Sequence, residues 1–515
     1  MELQLILSHY LISIKMLKHS LLKVASQIVK YKINRWASRP IITQKRQLST
    51  LLKKGSKTIF GKDHNFKSIS SYKDFKSKIP VRDYEELKEY FERTKKGEKD
   101  ILWPGKPIYF AITSGTTSGA KHIPITKDSL PNHLNGAKNA LLMYVANTGN
   151  TKFIEGRFIF VQGSPLLKKT AGVLTGRLSG ISAHHVPFYM KNFMLPSWNT
   201  NIIEDWEKKV EKIIDETINE NMTIISGIPS WLQMYFEKIS NIRGKSISSV
   251  FPNFNLLIHG GVNFKPYKEK FDSLIGKKVD TIELFPASEG FYAFQDSQNK
   301  EELLLILNAG IFYEFIKDKD FIENKKERIS IENVKLNTNY LLIISSSAGL
   351  WGYNTGDTIQ FTSLKPYKII VTGRIKQYLS AFGEHVIVKE IEQAIQKAIK
   401  ETGLLVNEFT VAPRFKSNQE SACHEWFVEF ETKTNSTKNF VQVINQELMS
   451  QNKYYKDLIE GNIISNPVVT CILKGGFKRY MQHIGKLGGQ NKIPKIANDR
   501  KIANALKKLK LIKPS

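Results

Sequence analysis

Residues 113–121, TSGTTSGAK, gather hydroxyls and glycines in a way that suits anion binding. Glycine lets successive backbone amides turn inward, and nothing bulky then blocks a phosphate. Thr113, Ser114, Thr116, Thr117 and Ser118 would add hydroxyl donors around Gly115, with the charge of Lys121 at the far end. The G-x-x-x-x-G-K-[ST] spacing of a Walker loop is absent. On these residues alone, a phosphate cradle and a plain surface loop are both open. Two further stretches, FNLLIHGG ending in Gly260 and Gly261, and VDTIELFPASEG with Ser288 and Glu289, read as apolar strands running into loops of small and turn-forming residues. Ligands of doubly wound sheets gather beyond the carboxyl ends of the strands, so a site belongs at such loops.

The elements that must carry these loops alternate between helical and strand periods, as in an α/β protein. Residues 203–218 put Ile203, Trp206, Val210, Ile213, Ile214 and Ile218 on one stripe, which predicts a surface helix. A β-branched run, a Gly-Ile-Pro turn and an amphipathic helix follow. The segment GRIKQYLSAFGEH, with two glycines and several charges, separates short β segments from a helix whose Ile391, Ile395, Ala398 and Ile399 share a face. We therefore expect a basic amphipathic N-terminal segment over 1–34, a large domain of β-sheets flanked by helices over 35–372, and a smaller α+β domain over 373–515. Residues 17–36 read as an amphipathic helix with Leu17, Leu21, Leu22, Ala25, Ile28 and Val29 on one face, expected to pack against the main body, with lying on a membrane surface as the alternative.

The net charge is +28. Residues 1–58 hold twelve Lys or Arg against the single acid Glu2, and the rest of the excess is spread as a lysine bias. No zinc finger, RNP or helix-turn-helix signature accompanies it, so nucleic-acid binding is not expected. Cys423 and Cys471 match no zinc spacing and cannot make a disulfide framework, which suggests a reducing, cytoplasmic setting. No apolar stretch approaches the roughly 20 residues of a membrane span. The adjacent His184 and His185, and the alternating strand CHEWFVEF at 423–430, are expected to be structural.

Four stretches in fixed order resemble the motifs of the adenylate-forming, or ANL, superfamily: TSGTTSGAK, FPASEG at 285–290, YNTGD at 353–357, and GRIKQYLSAFGEHVIVKEIEQAI at 373–395. Within it, LWGYNTGD, VTGRIKQYLSAFGEHV, HEWFVEF and GKLGGQNKIPKIANDR are most similar to the auxin-responsive promoter family of acyl-acid amido synthetases, in its bacterial branch. The resemblance runs from about residue 35 to the end. At the hinge, FGEHVIVKEIE departs from the plant members, which puts the plant substrates in doubt but not the chemistry.

The resemblance implies a two-step ligase. A carboxylic acid attacks the α-phosphate of ATP to give an acyl-adenylate, and an amine, typically that of an amino acid, displaces AMP. It implies that Thr113, Ser114, Gly115, Thr116 and Thr117 hold the phosphates, and that Glu289, preceded by Ser288, binds Mg²⁺. Asp357 would accept the ribose hydroxyls, and Gly260 and Gly261 would lie against adenine. Arg374 would sit near the ribose, Lys376 at the pivot of a mobile small domain, and Lys492 would reach the reacting phosphate and carboxylate during adenylation. Two other readings remain: an acyl-CoA synthetase using the same adenylate, and a basic nucleic-acid- or membrane-binding protein.

Overall fold

The computed structural model describes every residue except 1, 114–120, 204, 262–263, 299, 324, 326, 375–377, 380, 383, 385, 416–420, 433–435, 462–463, 488–491, 498 and 514–515. The chain forms two compact units, one of residues 1–262, 272–355 and 360–370, the other of residues 263–271, 356–359 and 371–515.

The first unit is built on two sheets. Among the described residues the larger has twelve strands, and its parallel part runs Arg157–Val161, Met222–Gly227, Leu256–Gly260 and Asp280–Ala287. Residues 158–161, 224–225 and 256–258 form apolar runs, as strands covered on both faces must, while Asp280–Ala287 also carries Asp280, Thr281 and Glu283. From Asp280–Ala287 the sheet turns antiparallel into Gly290–Gln295 and Leu303–Leu305. Beyond them lie Tyr367–Arg374, Tyr353–Leu364, Asn339–Ser346 and Ile311–Lys317. The smaller sheet pairs Tyr109–Thr113 with Lys121–Ile125 antiparallel and with Val173–Gly176 parallel.

The helix expected over 203–218 spans Trp206–Thr217, started by the Asp205 carboxylate accepting the Lys208 N–H at 2.9 Å, with Val210, Ile213 and Ile214 buried. The N-terminal helix Glu2–Ala37 corrects the predicted packing face. It lies on helix Leu130–Thr148, and the side chains turned inward are Leu22, Ser26, Val29, Ile33 and Trp36, against Ala140, Met143, Tyr144 and Phe153. Leu17, Leu21 and Ile28, expected on the packed face, are 59%, 60% and 51% exposed. The hydrophobic side chains described in this helix, from Met16 on, form two stripes, and a wheel drawn over six of them merges the two.

In the second unit, helices Val388–Thr402 and Lys438–Gln451 pack against a sheet of Val406–Arg414, Cys423–Phe430 and Val468–Cys471. Val388–Thr402 buries Ile391, Ala394, Ile395, Ala398 and Ile399 at helical spacing and ends on Gly403, whose φ of +70° only glycine adopts without strain. All eight residues of Cys423–Phe430 are buried, so both faces of that strand are covered, not the one face an alternating reading implies.

Candidate active site

The glycine-rich loop joins two strands whose register sets Thr113 opposite Lys121, so its two ends are held side by side. Ser114, Gly115, Thr116 and Thr117 lie outside the described residues, and Thr113 is described for its backbone alone. Lys121 sits 5.5 Å from the centroid of the Tyr84 ring.

At the carboxyl ends of the parallel strands, close backbone approach decides the residue types. A Cβ on Gly227 would stand 2.9 Å from the Val161 carbonyl oxygen, and one on Gly260 would stand 2.4 Å from that of Leu284. Gly260 is therefore required by strand packing, while Gly261 turns the chain out with a φ of +80° and is exposed. His259, just before them, is buried, and desolvation lowers its pKa to about 3, so it is a neutral imidazole. The buried Gln162 follows Arg157–Val161 at the same edge, and its Oε1 has no hydrogen-bond partner among the described residues.

Ser288 and Glu289 form the two-residue turn between the antiparallel strands Asp280–Ala287 and Gly290–Gln295, with Ala287 paired to Gly290. Both are half-buried. The Tyr353 hydroxyl donates to Glu289 Oε1 at 3.5 Å, from a ring that is itself fully buried. Behind the turn, Asn132 clamps the returning strand: its Nδ2 donates to the Phe291 carbonyl at 3.0 Å, and its Oδ1 accepts the Phe291 N–H at 2.7 Å. The same helix carries Gly136, where a Cβ would stand 2.4 Å from the Phe291 ring. Asn132 and Gly136 thus set where Glu289 stands. Sequence reading missed both, because an Asn and a Gly inside an amphipathic helix carry no signal of the partner, Phe291, that each meets far along the chain, 159 residues on for Asn132.

A second support runs under strand Ile311–Lys317. The Arg328 Nε meets Glu314 Oε1 at 3.0 Å in full burial, and the guanidinium also donates to the carbonyls of Phe75 and Lys76 at 3.4 and 3.3 Å. Burial pushes the Glu314 carboxyl up, and the Arg328 charge opposes it.

His184 and His185 are held by structural contacts, His184 Nε2 to the Pro165 carbonyl at 2.9 Å and His185 Nε2 to the Tyr109 hydroxyl at 3.0 Å.

In the second unit, Asp357 follows Gly356, whose φ of +79° breaks the pleat of strand Tyr353–Leu364. Thr372 Oγ1 donates to Thr358 Oγ1 at 2.9 Å, one residue from Asp357 and two from Arg374. A Cβ on Gly373 would stand 3.3 Å from Val388. Asp357 is half-buried; Arg374 closes strand Tyr367–Arg374 and is described for its backbone alone, and Lys376 lies outside the described residues. Within the hinge sequence, Glu384 is fully buried, accepting from the Phe382 N–H at 2.8 Å and pairing with His424 Nε2 at 2.9 Å. Burial works to raise its carboxyl pKa, but the His424 partner outweighs that and leaves it lowered.

The three lysines near the C-terminus separate by environment. Lys486 is exposed. Lys495 is locked to Glu408 and lies 4.4 Å from the centroid of the Phe409 ring; burial opposes its charge, and Glu408 more than restores it. Lys492 is half-buried beside Ile493, which belongs to the core around Phe427 and Phe477.

Among the described residues no group of three or more His, Cys, Asp or Glu could hold a metal. That suits Mg²⁺, which is commonly held by one or two carboxylates together with waters and substrate phosphates rather than by an all-protein cage. Glu289 offers such a carboxylate.

The parallel strand edge rich in glycine and the turn carboxylate held from behind stand where the ordered motifs led us to expect them, and the fold is that of solved adenylate-forming ligases. The chain matches the GH3 family N-terminal domain over residues 29–280, the GH3 family central domain over 304–374 and the GH3 family C-terminal domain over 389–501. It belongs to the GH3 family. It is 20% identical to the indole-3-acetic acid-amido synthetase GH3.3 of Arabidopsis thaliana, with 88% of each chain covered. It shares its fold with the structure of an acyl acid amido synthetase, AtGH3.15, in complex with 2,4-DB, at a TM-score of 0.78 and 15% identity, covering 96% of this chain and 97% of that one. A 2-hydroxyisobutyryl-CoA ligase in complex with 2-HIB-AMP matches at 0.59 and 12% identity, with 92% of each chain covered.

Proposed function

We propose that the chain is an ATP-dependent acyl-acid amido synthetase: it adenylates a carboxylic acid and passes the acyl group to the amino group of an amino acid. The observation that carries this reading is the Ser288–Glu289 turn, clamped by Asn132 and touched by Tyr353 at the head of the YNTGD strand.

In the first step a carboxylate oxygen of the acid bonds to the α-phosphorus, and the bond to the bridging oxygen of pyrophosphate breaks. Charge spreads over the phosphates without a protein nucleophile, so the residues supply fixed donors and position. The backbone and hydroxyls of Thr113, Ser114, Gly115, Thr116 and Thr117 hold the phosphates. Glu289, beside Ser288, would hold Mg²⁺, which neutralises the phosphate charge when bound. Asp357 takes the ribose hydroxyls, for one carboxylate accepts two O–H donors side by side. Gly260 and Gly261 leave a flat backbone surface for adenine, and Arg374 lies by the ribose. Lys492 meets the reacting phosphate and carboxylate, and Lys376 is the pivot on which the second unit turns between half-reactions. In the second step the neutral amine attacks the acyl carbon, the bond to the AMP oxygen breaks, and the nitrogen loses one proton to solvent as the amide forms. Cys423 and Cys471 are in no disulfide, which supports a cytoplasmic setting.

The test is acid-dependent ATP–pyrophosphate exchange over a panel of carboxylic acids, with product mass spectrometry in mixed amino acids and coenzyme A. We expect exchange and an amino-acid conjugate, and loss of exchange in Glu289→Ala and Asp357→Ala with the fold intact. Wild-type exchange in both variants would overturn the site, and a thioester product would overturn the amide.

A further inference from the structure

The N-terminal helix Glu2–Ala37 carries a second apolar stripe that the ligase reaction does not use. Leu17, Leu21, Val24, Ile28 and Tyr31 follow one another at spacings of 4, 3, 4 and 3, which sets all five on one side of the helix over about 21 Å. They are 59%, 60%, 60%, 51% and 70% exposed. The opposite side is fixed to the body of the first unit. Ile33 and Ser26 are buried there, His19 Nδ1 meets the Thr151 hydroxyl at 2.7 Å, and Gln27 donates to the Ala146 carbonyl at 3.2 Å. The stripe is therefore presented outward by a helix that cannot roll to hide it.

The charges around the stripe choose its partner. Lys18 and Lys32 flank it on one side and Arg35 continues its line, while Lys23 and Lys30 lie farther round the helix. Between Glu2 and Asp63 the chain has no acidic residue. A second copy docking through the same stripe would set lysine against lysine with no carboxylate to pair them. A nucleic-acid backbone would satisfy the lysines and leave the five apolar side chains in water. An anionic lipid surface satisfies both, since its headgroups take the lysines and its acyl boundary takes the apolar row.

We propose that this face binds anionic membrane surfaces, the helix lying in the plane of the interface and anchoring the enzyme peripherally. Among the described residues no helix is long and apolar enough to cross a membrane, so the contact is one of surface attachment.

The experiment is flotation of the full chain with vesicles of phosphatidylcholine, with and without phosphatidylglycerol, for wild type, Val24→Glu/Ile28→Glu and Lys18→Gln/Lys32→Gln. The expected result is binding to the phosphatidylglycerol vesicles that weakens with salt and falls by about tenfold or more in each double variant. All the changes are on exposed side chains, so thermal unfolding of the variants should match wild type and show that the helix is still docked. Three results would overturn the proposal. One is the absence of vesicle binding. Another is binding that Val24→Glu/Ile28→Glu leaves unchanged. The third is a concentration-dependent dimer, split by that variant, in place of vesicle binding.

Discussion

Acid should weaken the scaffold of the active site, and two histidines set the size of the effect. His259 stands next to Gly260, and His133 next to the clamping Asn132; both are buried, and desolvation lowers their pKa values to about 3 and about 4. In the unfolded chain each titrates near 6.5. Below that pH the unfolded state binds protons that the folded state refuses, so stability falls as pH falls, by about 1.4 kcal/mol per unit for each histidine. At pH 5 each removes about 2 kcal/mol of the stability present at pH 7.5, about 4 kcal/mol together. His64 and His185 are also lowered, chiefly by burial, and add with the same sign. Glu314 and Glu429, raised chiefly by burial, act with the opposite sign as pH rises, so the histidine part is isolated by comparing variants. The assay is urea unfolding of the first unit at intervals from pH 7.5 to 5, for wild type, His133→Gln and His259→Gln. Each variant, whatever its stability at pH 7.5, should lose about 2 kcal/mol less than wild type on going to pH 5. Equal losses in all three proteins would refute the reasoning.

Asn132→Ala leaves buried backbone groups of Phe291 without partners, at a cost of about 1–3 kcal/mol. It should raise the KM for Mg·ATP in the exchange assay while the KM for the acid stays put, and an equal rise in both would deny Asn132 its positioning role. Lys492→Ala should abolish acid-dependent exchange at an unchanged unfolding midpoint, whereas Lys495→Ala should strand the Glu408 carboxylate and lower the stability of the second unit by about 3 kcal/mol. Lost exchange in a fully stable Lys495→Ala, with normal exchange in Lys492→Ala, would reverse the assignment.

What the sequence made legible about the ligase was local or ordered along the chain. The helix at Trp206–Thr217 and the strand ends at Gly260 and Glu289 were written in periodicity and turn residues, and the order of four short motifs carried the family. What supports those motifs was not legible. The Asn132–Phe291 clamp, the Glu314–Arg328 pair and the Glu384–His424 pair join residues 159, 14 and 40 positions apart, and only the first and last fall near a motif at all. A buried polar residue signals that it needs a partner. It does not say which one, because the choice is made by strand order and helix docking. The same limit explains Gly260: its sequence context suggested a turn or a ligand platform, while the reason a side chain is excluded is a carbonyl on the adjacent strand.

The N-terminal helix shows the limit from the other direction. Six apolar residues within an arc sufficed to predict a buried face, and a buried face exists, yet it is formed by Leu22, Val29, Ile33 and Trp36, while Leu17, Leu21 and Ile28 look away. Periodicity reports that a helix has an apolar side; it reports nothing about how many neighbours will compete for it. Two stripes on opposite sides of one helix imply two neighbours, of which the fold supplies one. Part of the basic excess of residues 1–58, which the ligase chemistry leaves unexplained, flanks the second stripe at Lys18, Lys32 and Arg35. Taken with that stripe, the excess gains a physical role: it selects the surface on which the remaining apolar side is covered.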